Sequence, residues 1–239
     1  MKKKYFIIWT VILIGVGLLL YPYINNAIFN YQISESKKEF LNALEIKKLE
    51  YKKEEGKETT PFSELNSILQ KKNEILFKDK QKYLVDPFSY QEVAMDISAY
   101  GLEDNIIGYI RIPKINSELP ILLGANHDSL NRGAAHLTQT SYPIGGINTN
   151  CVLAAHRGST RGEMFVKIDQ IEIGNKVYIE NFQETLVYEV VSTKIIKPWE
   201  VNEILIQEGR DLVTLISCHP YWGNYERYVV YCERTNNDK

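Results

Sequence analysis

Residues Tyr5 to Ile24, YFIIWTVILIGVGLLLYPYI, run for twenty positions without a charge. At about 1.5 Å per residue, a helix of that length spans roughly the 30 Å hydrocarbon layer of a bilayer. The sequence therefore predicts a single-pass membrane anchor over 5–24, with membrane lipid as one partner. Trp9, Tyr21 and Tyr23 suit interfacial positions, and the run Lys2-Lys3-Lys4 assigns residues 1–4 to a cytoplasmic tail and the remainder to the outside of the cell. A cleaved signal peptide is the rival reading. It fits less well, because the apolar run exceeds a usual signal core and Asn25-Asn26-Ala27 is a poor cleavage site.

Charge and cysteine usage narrow the function. With 239 residues and a formal net charge of −2, the chain has room for a sizeable core but no broad basic field, which excludes nucleic acid as a partner. Cys151, Cys218 and Cys232 are too few and too far apart for a disulfide framework, and one must stay unpaired. The histidines, His127, His136, His156 and His219, are scattered and match no zinc spacing, so neither a metal nor another cofactor is expected.

Residues 34 to about 82 are charged and helical in pattern, which assigns 25–82 to a helical stalk or packing helices. Phe40, Leu41, Leu44 and Leu49 form a narrow apolar stripe that breaks at Gly56. Thr60-Pro61 restarts a helix with Leu65, Ile68, Leu69, Ile75 and Leu76 along it. The wider second stripe predicts packing on the following domain, while the narrower first one also suits a solvated stalk. From Ile106 onward the character changes to short runs: IIGYIRIP, ELPILL, NCVLAA, KVYIE, ETLVYEVVSTKII, DLVTLIS and RYVVYCER. Turn residues such as Gly145-Gly146 and Gly174-Asn175 separate them. Short strands without regular intervening helices predict an all-β domain, a sandwich or closed barrel, over residues 93–239.

Two of these runs end at reactive side chains. Thr214 to Ser217 leads into Cys218, and NCVLAA leads into His156. A free cysteine is most often a small buried hydrophobe, and a lone histidine is most often hydrogen-bonded at a turn. Arg227 follows Cys218 by nine positions. The intervening Pro220 and Gly223-Asn224 turn would fold a hairpin that returns the arginine to the cysteine's end of the sheet. There a fixed planar cation can hold a developing oxyanion, although a surface arginine is the ordinary alternative. Asp86-Pro87-Phe88, taken alone, is only a turn starter.

The TLISC stretch, with Arg227 downstream and AAHRG upstream, resembles the sortases, whose signature is TLxTC with an upstream histidine and a downstream arginine. Ser217 replaces the usual threonine and keeps its hydroxyl. GYIRIPKINSELPILLGA and HLTQTSYPIGGINTNCVLAAHRG are similar to the class C, pilus-assembling sortases, so the likeness covers most of 108–234. It implies an eight-stranded sortase-type β-barrel that cleaves a C-terminal LPxTG-like sorting signal and joins the released carboxyl to an amine. By that resemblance Cys218 is the nucleophile, His156 the catalytic histidine and Arg227 the oxyanion-side arginine, with His136 outside the triad.

The class C likeness also implies a lid over 83–92, in which Asp86 pairs with Arg227 and Phe88 lies over Cys218. The implied partners are surface or pilin proteins bearing the signal, and an acceptor amine from a pilin lysine or a peptidoglycan cross-bridge. The implied location is a Gram-positive-type envelope. Two features differ from that class: His219 follows the cysteine where threonine is common, and TNNDK follows the last strand run where a membrane segment is usual.

The chemistry is sound in magnitude. With ordinary pKa values near 8.5 and 6.5, independent titration leaves the thiolate–imidazolium pair ~1% populated at pH 7, enough for a working minority form. Thiolate attack gives a thioester, imidazolium protonates the departing amine, and an incoming amine resolves the acyl-enzyme. The order His before Cys excludes a papain-like layout, and no QACRG surrounds the cysteine. Two other readings remain: an endopeptidase with water as acceptor, separated by the absence of amine-linked product, and a non-catalytic barrel scaffold or adhesion module, separated by an inert Cys218.

Overall fold

In the computed structural model, which describes residues 2–53, 61–158 and 162–235, the apolar span continues unbroken into the charged segment as one helix, α1 (Lys2–Lys53). Its most apolar window has a mean hydropathy of 2.2 and no part of it is buried against the protein, which makes it a candidate membrane span by length and composition. The break at Gly56 and the restart at Thr60 lie outside the described residues. Helix α2 (Ser63–Lys78) follows, with Leu65 and Leu69 fully buried.

Both helices dock. On α1, Phe29, Ile33, Phe40 and Leu44 are buried in the main core. Lys37 reaches Glu118 and Glu180 at 2.7 Å each, and the Ser36 hydroxyl is 2.8 Å from that of Tyr109. The stretch after the span is thus a packed strut and not a solvated stalk. Its stripe looks narrow from Phe40 onward because half of it, Phe29 and Ile33, precedes the charged segment. Asn73 ties α2 to the barrel, since its Oδ1 accepts the Tyr142 amide at 2.8 Å.

The strands are β1 (Ile106–Ile112), β2 (Ser117–Leu123), β3 (Ala134–His136), β4 (Thr149–Ala154), β5 (Lys176–Asn181), β6 (Thr185–Ile196), β7 (Asp211–His219) and β8 (Glu226–Arg234). They close into a barrel in the order β1-β2-β3-β4-β7-β8-β6-β5. Closure leaves no open edge to template aggregation. Two neighbouring pairs are parallel, β2 with β3 and β4 with β7; the others are antiparallel. A short helix, α3 (His127–Arg132), bridges β2 and β3, with Asn126 capping it by accepting the Ser129 amide at 2.9 Å.

Side chains alternate across each strand, so one set fills the barrel and the next faces outward. Leu153, Val213, Leu215, Val230 and Cys232 belong to the interior core. Val152, Ala154, Ile216, Val229 and Tyr231 form a second apolar cluster on the outer face of β4, β7 and β8. Cys151 and Cys232 are enclosed in the barrel, and burial pushes both thiols far up.

Candidate active site

Strand periodicity brings the three polar residues to one place. His156 stands two positions beyond outward-facing Ala154, Cys218 two beyond Ile216, and Arg227 two before Val229. A period of two therefore aims all three at the outer groove. The parallel β4–β7 ladder pairs Ala154 with Ile216, and the Ala155 amide continues it by donating to the Ile216 carbonyl at 3.2 Å. Ser217 fixes the same junction, its hydroxyl donating to the Ala155 carbonyl at 2.6 Å. This is the position where the TLxTC pattern has threonine, and here the serine hydroxyl supplies the bond. On the other side, the β7–β8 register sets Cys218 directly opposite Arg227.

Arg227 is nearly buried. Its Nε donates to Asp86 Oδ1 and its Nη2 to Asp86 Oδ2, both at 2.8 Å, while Nη1 donates to the carbonyls of Asn224 at 2.7 Å and Glu226 at 2.9 Å. A forked guanidinium–carboxylate pair of this kind is strong and directional. The Phe88 ring lies under the guanidinium, 4.9 Å from its carbon, and 6.1 Å from the His156 ring. Leu84 is buried in the outer apolar cluster and Phe88 packs on it. The segment that precedes the barrel thus fills the groove between the arginine and the histidine.

These neighbours set the resting charges. Burial pushes the Cys218 thiol up; Arg227 pulls it down, Asp86 pushes it back up, and Arg157 pulls weakly down. Burial holds the His156 imidazole below its ordinary value, and nearby His127 adds to the effect. Both shifts favour neutral thiol and neutral imidazole over the ion pair. His136 sits elsewhere. It is enclosed, stacks on Tyr142 at 5.1 Å, and its Nε2 donates toward the carbonyls of Thr140 (3.2 Å) and Ser141 (3.0 Å), which suits a structural role.

Sequence reasoning overlooked the support beneath the cysteine. Arg157 is buried on the face opposite the groove, where Nη2 pairs with Asp169 at 2.5 Å and Nη1 donates to His219 Nδ1 at 2.7 Å. Because a guanidinium only donates, Nδ1 of His219 accepts this bond. Leu84 was also missed as a groove residue; an apolar residue in the sequence YLVDPF was its only signal. The loop over 197–207 contributes Val201, Ile204 and Leu205 to the rim of the groove. Among the described residues no cluster of His, Cys, Asp or Glu has the arrangement to hold a metal ion.

A closed barrel that presents a thiol, an imidazole and a guanidinium along one groove has the layout of a thiol-dependent enzyme. Residues 110–235 match the family model of the sortase domain. Sortase A of Bacillus anthracis is 32% identical over 178 residues, covering 74% of this chain and 80% of that protein. Sortase D of Bacillus subtilis (strain 168) is 33% identical over 130 residues, 53% of this chain and 63% of that protein, so the chain spans somewhat under two thirds of this relative. The solved sortase C1 of group B Streptococcus pilus island 1 superposes with a TM-score of 0.68 at 32% identity, covering 75% of this chain and 91% of that one. The chain belongs to the sortase family, whose members are cysteine transpeptidases.

Proposed function

We propose that this chain cleaves an LPxTG-like sorting signal and transfers the acyl fragment to an amine, a pilin lysine in pilus assembly. Cys218 attacks the scissile carbonyl and forms a thioester, Arg227 holds the developing oxyanion, and His156 protonates the departing amine. His156 then takes the proton of the incoming amine as it displaces the thioester. The observation that carries this reading is the pairing of Cys218 with Arg227 across β7 and β8, with His156 on the same face. The likeness to a sortase C1 of a pilus island supports the pilin acceptor over a peptidoglycan amine.

Residues 83–92 act as a lid over that site. With Asp86 on Arg227, the oxyanion donor is occupied and Phe88 closes the groove, so a signal peptide enters only after the segment lifts. In the full assignment, residues 1–4 are a cytoplasmic tail, 5–24 the anchor, 25–82 the docking helices and 93–239 the catalytic domain outside the membrane of a Gram-positive-type envelope. The test is incubation of the protein with an LPxTG-type peptide and either a pilin-lysine peptide or a cross-bridge amine, followed by mass analysis. Amide-linked product with the lysine peptide is expected. Hydrolysed peptide alone would make the chain an endopeptidase.

A further inference from the structure

Helix α1 determines which side of the barrel meets the bilayer. Lys37 pairs with Glu118 on β2 and Glu180 on β5, and Ser36 meets Tyr109 on β1. Moving toward the N-terminus, Phe29 packs directly on Gly162, and Asn26 Oδ1 accepts the Glu163 amide at 3.1 Å. Gly162 and Glu163 lie in the loop that follows β4 and His156. The loop sits at the start of β2, where the Ser117 hydroxyl donates to the Met164 carbonyl at 3.2 Å, and by the strand directions β2 starts at the end of the barrel where β4 and β7 finish, so the helix continues past the end that carries His156 and Cys218.

The distances along this path are short. Asn26 is two residues, about 3 Å of helix rise, beyond Ile24. From Glu163 the chain needs two residues, at most about 7 Å, to reach Phe165, whose amide donates to the His156 carbonyl at 3.1 Å. At the same end of the barrel, the β7–β8 connection from Pro220 to Tyr225 exposes three aromatic rings and carries no charge. Trp222 is 93% exposed and Tyr225 62%, and Tyr221 stacks edge-to-face on Trp222 at 4.7 Å. Tyr221 also lies beside Gly158, two residues after His156.

We propose that Tyr221, Trp222 and Tyr225 form a second contact with the bilayer, seated in the headgroup layer of the membrane that α1 crosses. Aromatic rings with a polar edge partition to that layer, whereas three of them together in water leave apolar faces unmatched. With α1 on one side and this loop on the other, Cys218 is held close to the lipid surface. The proposal rests on the reading of residues 5–24 as the anchor.

The test uses the full chain in vesicles of phosphatidylcholine and phosphatidylglycerol brominated near the top of the acyl chains. The chain has three tryptophans, Trp9, Trp199 and Trp222, so two single-tryptophan forms, made by Trp→Phe changes at the other two positions, report on the anchor and on the loop. Expected is loss of emission from both Trp9 and Trp222, with Trp222 blue-shifted and shielded from acrylamide. Quenching of Trp9 with Trp222 unquenched and open to acrylamide overturns the loop contact and leaves the anchor standing. Absence of quenching at both positions overturns the anchor, and the proposal with it.

Discussion

Asp86 and Arg227, 141 positions apart, are joined by two parallel hydrogen bonds of 2.8 Å across the mouth of the groove. The same carboxylate raises the Cys218 pKa while Arg227 lowers it. Asp86 therefore raises the thiol's pKa as well as occupying the guanidinium proposed to hold the oxyanion. Asp86→Asn removes the charge and weakens the fork. Alkylation of Cys218 should become faster, by up to about tenfold if the closed state is favoured by ~1.4 kcal/mol, and its pH midpoint should move down. Rates measured against pH in the two proteins check this; superimposable profiles would remove Asp86 from control of the thiol.

Phe88 lies between the guanidinium and the imidazole, so its removal should open the groove by a second route. Phe88→Ala should raise cleavage of a short signal peptide. The double change with Asp86→Ala should give less than the product of the two single effects, because both act on one closed state. Full multiplicativity would show that the two residues do not share a lid.

The barrel separates the three thiols by alternation. Cys218→Ala should abolish cleavage, while Cys151→Ala and Cys232→Ala, both interior, should leave the reaction intact and cost only stability. Arg227→Ala should lower kcat by about 10²–10³-fold, and Arg227→Lys should rescue poorly, since a point charge lacks the fork. Steady-state kinetics on folded variants decide it, and full activity in Arg227→Lys would argue against a forked donor.

His136 gives the fold a pH limit. Its pKa drops from 6.5 to about 4, chiefly through burial, which outweighs its two carbonyl bonds. The unfolded chain therefore binds a proton between those values that the folded chain refuses, so stability falls as pH falls through that window. The full effect is about 3 kcal/mol once pH lies below both values. Thermal unfolding from pH 7 to pH 4.5 should show a falling Tm, and His136→Gln should flatten the slope even if it lowers Tm throughout. An unchanged slope in that variant would remove His136 as its source.

Much of this was legible in the sequence because the runs were long or the residues unusual. The seven quoted strand runs all fall on strands, and the hairpin turn after Cys218 pointed to the register that faces it with Arg227. Strand β3 was missed: Ala134–His136 is three residues long and offers no alternation to read. Docking of the first helix was left open because half of its buried apolar stripe, Phe29 and Ile33, lies between the span and the charged segment that begins at Ser34. The Arg157–His219 bond was hidden for another reason. It joins positions 62 apart through the parallel β4–β7 pairing, which no local pattern encodes.

Catalysis by this site requires that Cys218 carry the acyl group. Intact-mass measurement of the protein quenched in acid during turnover of an LPxTG-type peptide tests it most directly. Expected is an adduct equal to the peptide's N-terminal fragment, mapped to Cys218, released by hydroxylamine and absent from Cys218→Ala. An adduct that persists in Cys218→Ala, or signal cleavage by that variant, would contradict it.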